Sequence, residues 1–454
     1  MTHTFLALPL PEEIRRLKEA GRLKEADSAI SAHLSRDLPA PLRQRLLFEQ
    51  HRLRLIPLDY TIPESQALGE LQKYFPSITK EDFESLEKAG KIDFVITEQG
   101  KRYFIRFARS LYNDSLMKKR FGLPVSPERP YLDDMIRKIR QQGSLSVRYT
   151  LESSLRPGDE TFRPGLWRGW LPFPAECAQQ HDISLISGNP DQISHPRAMA
   201  RTAYFERVLT RPETFSVTYS YISTIRYADP LHAPAPSSPL YPDAMPPCEE
   251  DLMEDDAHIR FTPYLRALAR EIAGDAKDGL EKAWRCYRFV TTRVSYSFMP
   301  AYILLDNLAE FSAVNLRGDC GLQALLFVVL CRILGVPARW QSGLSIDEDD
   351  VGSHDWAQFY AEGWGWLFAD CSYGGSAWRC GSLNRHAFYF GNLDGARMAA
   401  NRVFMADFTP DLGKFRRDPC DSQTGEMDYP EDPAPLLPGA YERHVNLLSR
   451  EEIG

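Results

Sequence analysis

One thiol, one imidazole and one carboxylate follow each other in an order that suits nucleophilic catalysis. Cys320 lies in Gly318-Asp319-Cys320, His354 in His354-Asp355-Trp356, and Asp370 in Ala369-Asp370-Cys371. A cysteine nucleophile needs a base to take its proton, and the base needs a group that fixes its tautomer. Cys320 stands before a run, 322–334, that is apolar all round apart from Gln323, Arg332 and small Ala324, so it begins a helix in the centre of a domain. Asp319 is the expected N-cap, and Gly335 before Val336-Pro337 the expected stop. Unpaired N–H groups and the positive end of the helix dipole meet at the first turn. They favour a thiolate and suit an oxyanion. By position alone Cys320 is either a nucleophile or a small core residue such as Cys331.

The base and its orienting group come from "GSHDWAQFYAEGWGWLFADCSYGG", which reads as two strands around a glycine turn. Alternation puts His354, Trp356, Gln358 and Tyr360 on one face, and Trp366, Phe368 and Asp370 on one face of the next strand. His354 and Asp370 are centred on residue 362. They face each other directly if the loop has an odd count or a bulge, which Gly363 and Gly365 permit. The same alternation points Asp355 away from His354. The Cys320 N–H is one expected oxyanion donor. Asn315, Asn307 and Tyr302 are side-chain candidates for the second, with Asn315 preferred. Trp356, Trp364, Trp366 and Trp378 either line a substrate cleft or pack the core. Arg379, Arg385 and Arg397 are candidates to read a carboxylate, with surface placement the default expectation for each.

The elements that must carry these groups emerge from the rest of the chain. Its 454 residues allow two to four domains, and 43% hydrophobic with 26% charged residues is an ordinary globular composition. A net charge of −8 argues against a general polyanion binder. The eight cysteines show no CxxC and no Cys/His zinc spacing, and no phosphate-cradling glycine loop is present. The acidic run at 347–350 lacks the spaced ligands and turn glycine of an EF-hand, so no metal or cofactor is expected. The N-terminus shows neither a signal peptide nor a bilayer-spanning run, which predicts a cytoplasmic protein.

Residues 1–142 form a helical N-terminal region, with helices over 11–56 broken at Gly21. A hairpin turning at Glu98-Gln99-Gly100 makes a winged helix conceivable, with Lys101, Arg102 and Arg106 on the wing. A packing or partner-binding module is the preferred alternative, because the helices are acidic. Residues 143–227 alternate cleanly, with Leu145, Val147, Tyr149 and Leu151 in one strand and Phe215, Val217, Tyr219, Tyr221, Ile225 and Tyr227 in another. They predict a β-sandwich. Residues 228–257 hold seven prolines and an acidic run, the pattern of an unpacked linker. Residues 258–454 make the catalytic core and a C-terminal extension.

"GDCGLQALLFVVLCRILGVPARWQSG" followed by "HDWAQFY…GWGWLFADCS" resembles the transglutaminase-like superfamily of cysteine enzymes over roughly 258–375. The resemblance implies an α+β protein with a papain-like transglutaminase core, a central helix packed on an antiparallel sheet. It implies Cys320 as nucleophile, His354 as base and acid, and Asp370 as the orienting group. The segments 388–404 and 415–429 look like the tail of bacterial members, in which β-sandwiches ahead of the core are common. Asp355 departs from the family's small residue after the histidine, and Cys371-Ser372 from its Pro-Thr. The expected activity is hydrolysis of a peptide or small amide through a thioester, with no nucleic acid or membrane partner. Acyl transfer to an amine and a non-catalytic partner- or nucleic-acid-binding role are the alternatives. Nothing in the sequence fixes the oligomeric state.

Overall fold

The computed structural model describes residues 4–255, 258–348, 350–416, 423–437 and 439–453. Asp349 of the acidic run, Cys420 and the middle of the 415–429 segment lie outside the described residues.

The central helix is Cys320–Ile333. Asp319 caps it by accepting the Leu322 N–H at 3.2 Å. Gly335 ends it in the left-handed region at φ +77, where the Val336 N–H reaches the Cys331 carbonyl at 2.9 Å. Every residue from Gly321 to Arg332 is buried, as expected of a helix apolar all round. It packs on a five-stranded sheet whose pairs are all antiparallel. The order is Phe390–Gly391, Gly365–Ala369, Val351–Ala361, Ala338–Ile346, Arg397–Asn401. Phe327 of the helix meets Phe359 of the sheet edge to face at 5.9 Å, and Phe359 stacks on Phe390 at 4.9 Å.

Two four-stranded sheets lie beside this unit. Strand Ser144–Pro157 alternates buried and half-buried along nearly its whole length and pairs with Phe215–Arg226, as the period-two pattern predicts. Leu145, Val147, Tyr149, Leu151, Phe215, Val217, Tyr219, Tyr221 and Ile225 are all core residues, whereas Tyr227 is half-buried just beyond its strand. The chain returns to both sheets at its C-terminal end. Glu426–Asp428 pairs with Gly165–Pro172, and Tyr441–Ile453 pairs with Ser144–Pro157. Sheet membership therefore crosses the division expected between 143–227 and 258–454.

The proline-rich segment is packed, contrary to expectation. It contains a 3-10 turn, Glu249–Leu252, and Tyr241 is buried. Asp251 takes two bonds from Arg339, at 2.6 and 2.7 Å. A buried aromatic and a charge-assisted fork outweigh the prolines' reluctance to form regular structure. In the N-terminal region helices Glu12–Glu19 and Leu23–Leu34 flank the expected break at Gly21. The hairpin Phe94–Thr97/Gly100–Tyr103 is joined by Ile62–Pro63. The expected basic wing is spent internally. Lys101 pairs with Glu87 at 2.6 Å, Arg102 bonds Gln99, and Arg106 lies 3.4 Å over the Phe298 ring. This region grips the 296–306 segment. The Phe298 N–H donates to Ser110 Oγ at 3.0 Å, the Ala301 N–H to Asp59 at 2.7 Å, and Arg52 to the Leu305 carbonyl at 3.0 Å. Among the described residues no helix is long and apolar enough to cross a membrane.

Candidate active site

Cys320 is the first residue of the central helix and is half-buried. Asp319, the cap, also accepts a hydrogen bond from the Tyr302 hydroxyl. Gly321 leaves room for that ring, since a Cβ there would lie 2.1 Å from the Tyr302 oxygen. Parallel pairing of Ser295–Tyr296 with Arg317–Gly318 brings Tyr296 alongside the same turn.

His354 and Asp370 form a buried pair. His354 Nε2 stands 2.7 Å from Asp370 Oδ2, with only 4% of the histidine and none of the aspartate exposed. Asp370 is also the cap of helix Cys371–Cys380. Its Oδ1 accepts the Tyr373 N–H at 3.0 Å and the Ser372 hydroxyl at 3.3 Å. Arg397 reaches Oδ2 at 3.0 Å and Asp394 at 2.9 Å. Burial alone would raise the Asp370 pKa. The His354 partner, Arg397 and the Tyr373 N–H override it and hold the carboxyl at about 2. The Tyr373 ring packs 4.8 Å from the imidazole.

The register differs from the expected one. Ala357 faces Ala369 and Tyr360 faces Trp366, so the hairpin is centred on residue 363, one position later than expected. Asp370 therefore lies just past its strand, diagonal to His354 rather than opposite it. The loop has the expected odd count, three residues between Ala361 and Gly365. The diagonal offset is bridged by the length of the two side chains.

The thiol's partner is not the one foreseen. Cys320 Sγ hydrogen-bonds Asp355 Oδ2 at 3.1 Å, and no hydrogen bond joins it to His354. Asp355 is 3% exposed, and the Gln423 side-chain amide donates both to it and to the His354 carbonyl, the latter at 3.0 Å. Asp355 takes no part in the His354–Asp370 pair, and its carboxylate lies at Cys320 instead. Burial first, then the Asp355 and Asp319 carboxylates, push the Cys320 thiol well above the usual cysteine range, with the Asp355 N–H opposing them. The expected help of the helix dipole is outweighed here.

Other expected site residues fall elsewhere. Asn315 is exposed, and its amide donates to the Phe311 carbonyl at 2.9 Å, closing a turn of its own helix. Asn307 caps that helix by accepting the Glu310 N–H. Trp356 is fully buried with its indole on Gln341 at 2.8 Å, and Trp364 is core. Trp378 is 40% exposed against His386, 5.3 Å away. Trp366 borders a cavity of about 640 Å³ lined by Cys177, Arg226, Met245, Arg339 and Arg402, away from Cys320. Arg379, Arg385 and Arg397 are buried rather than superficial. Arg397 is held by two carboxylates, Arg385 by Asp133 at 2.6 Å, and Arg379 by the Val294 carbonyl at 3.1 Å. Among the described residues no group of three or more His, Cys, Asp or Glu is placed to hold a metal ion.

Residues 266–371, a span that contains Cys320, His354 and Asp370, match the family model of the transglutaminase-like superfamily. The chain carries a transglutaminase-like domain. No curated protein matches it. Among solved structures, a Cytophaga hutchinsonii protein described as a candidate cysteine protease is 15% identical. That alignment covers 67% of this chain and 91% of the other, with a TM-score of 0.43. The periplasmic domain of TgpA from Pseudomonas aeruginosa is 13% identical over 58% of this chain and 96% of the other, at 0.29. A Parabacteroides distasonis protein described as a candidate protease is 10% identical over 50% and 42%, at 0.21. The matched span 266–371 takes in the central helix, the strand that carries His354 and the strand that leads to Asp370.

Proposed function

We propose that this protein is a cysteine-dependent amide hydrolase acting on a peptide or small amide, with a Cys320–His354–Asp370 triad. The buried His354–Asp370 pair carries this reading. With Nε2 committed to the carboxylate, Nδ1 has no hydrogen-bond partner among the described residues and is the atom left to exchange protons. Asp370 stays ionised at neutral pH because its carboxyl titrates at about 2, so it stabilises an imidazolium without taking the proton.

The chemistry follows. Sγ loses its proton to His354 Nδ1 and attacks the amide carbonyl. The oxyanion develops against the Cys320 and Gly321 N–H groups at the start of the central helix, since Asp319 already takes those of Leu322 and Gln323. The imidazolium protonates the leaving amine, a thioester remains on Cys320, and a water activated by His354 hydrolyses it. On this reading the helix and five-stranded sheet are a papain-like core within 258–454, and the two flanking sheets are the β-sandwich of 143–227 completed by C-terminal strands. Residues 1–142 buttress the 296–306 segment, and the protein works in the cytoplasm.

The test is a peptide and amide library incubated with the full-length protein and with Cys320→Ala, read by mass spectrometry. Hydrolysis of at least one amide by the wild type alone is the expected result. Cleavage by both proteins, or by neither, overturns it.

A further inference from the structure

In the described site the Cys320 proton is held by Asp355 and not by the base that the proposed triad requires. Sγ–H donates to Asp355 Oδ2 at 3.1 Å. An aspartate carboxylate is far too weak a base to remove a thiol proton, so this bond keeps the proton on sulfur. A thiolate formed beside it would face a buried negative charge at hydrogen-bond distance. Asp355 is not a loosely placed side chain. It is 3% exposed, and Gln423 binds its carboxylate while also donating to the His354 carbonyl at 3.0 Å. One amide therefore ties the C-terminal segment to the Asp355 carboxylate and to the His354 backbone.

We propose that Asp355 is a positioning residue for Cys320: its carboxylate, steadied by Gln423, holds the Sγ proton away from His354 and so sets the pH at which the thiol becomes a nucleophile. Activation then consists of breaking the Sγ–H···Asp355 hydrogen bond and turning Sγ towards His354. The Sγ–H bond breaks, an Nδ1–H bond forms on His354, and Asp355 remains a carboxylate throughout. The direction of the thiol's pKa agrees: burial raises it first, and Asp355 is the largest charge that adds to this. Among the described residues, the other titratable groups at the turn include Asp319 on the helix cap and Tyr296 and Tyr302 from the 296–306 side, and His354 with its partner Asp370 adjoins Asp355 along the chain. Arg106 of the N-terminal region acts on Tyr296 and Asp319. Of these, Asp355 is the one whose side chain hydrogen-bonds the sulfur.

This inference rests on the catalytic reading of Cys320, and the experiment separates the two. Full-length wild type, Asp355→Asn, Asp355→Asn/His354→Ala and Gln423→Ala are alkylated with limiting iodoacetamide across a pH series. Cys320 is followed by peptide mapping, with exposed Cys248 as the internal reference. In Asp355→Asn the Cys320 midpoint falls by about one pH unit or more, and adding His354→Ala raises it again. Gln423→Ala moves it the same way by less, and serves alone if the asparagine variant does not fold. A Cys320 profile unchanged in Asp355→Asn, or in Gln423→Ala where that stands alone, overturns the inference. A midpoint lowered by Asp355→Asn but indifferent to His354→Ala upholds the Asp355 role and removes the catalytic reading instead.

Discussion

Arg397 and His354 converge on a single oxygen, Asp370 Oδ2, at 3.0 and 2.7 Å. The carboxylate is completely buried, so it depends on both partners for its charge. Arg397 is itself shared with Asp394 at 2.9 Å. Replacing Arg397 by Met leaves two buried carboxylates without their cation. A loss on the order of 3–5 kcal/mol is expected. Thermal unfolding of Arg397→Met beside wild type checks it, and a Tm within a degree or so of wild type would refute the dependence.

The same carboxylate makes stability depend on acid. Its folded pKa of about 2 lies below its ordinary 3.8, so its contribution is present in full above about pH 4 and is lost as pH falls towards 2. The loss is about 2 kcal/mol. Urea midpoints measured across this window should fall more steeply for wild type than for Asp370→Asn, which has no proton to bind. Parallel slopes would contradict it.

Two histidines add a separate, milder window. Burial first, and then Arg54, pulls His51 to about 4, and burial with Arg288 does the same to His386, which bonds Thr291 at 2.9 Å. Both are neutral in the folded protein and titrate at an ordinary 6.5 once unfolded. Their stabilisation is full above about pH 6.5 and is lost as pH drops towards 4. His386→Gln, which cannot protonate, should flatten the pH dependence of unfolding between those values. An unchanged slope would show that His386 charges without cost.

The first turn of the central helix is tight. Gly321→Ala places a methyl 2.1 Å from the Tyr302 oxygen and must displace that ring from Asp319. A cost of about 1–3 kcal/mol is expected. Combining it with Tyr302→Phe should recover part of that cost. Strict additivity of the two changes in a double-mutant cycle would show that the ring moves freely.

Much of this was legible in the residues, and the exceptions share a cause. The central helix, its cap and its stop follow from local pattern, because Asp319 and Gly335 act within one turn of the helix. The alternating strands of 143–227 were equally plain. Types and rough spacing brought His354 and Asp370 together, but the register turned on the Glu362-Gly363-Trp364 loop, whose geometry the sequence leaves open. Arg397 reads as a surface residue because arginine ordinarily is one. It is buried by two carboxylates, one of them 27 positions away. Strand Tyr441–Ile453 is an edge strand that is mostly exposed and charged, and the sparse face of Tyr441, Val445 and Leu447 that packs on the core is too weak a pattern to announce it. Gln423 gave no signal at all, since its contact with Asp355 spans 68 positions. Asp355 reads as a weaker orienter because alternation points it away from His354, and no local pattern marks its bond to Cys320, 35 positions away.

The central claim is that His354 makes Cys320 an acyl acceptor. The direct measurement is the intact mass of the full-length protein after brief exposure to p-nitrophenyl acetate, with peptide mapping, for wild type and His354→Ala. A single acetyl group on Cys320 of the wild type, formed at least tenfold more slowly in His354→Ala, is the expected result. No acylation of Cys320, or equal acylation without His354, would contradict it.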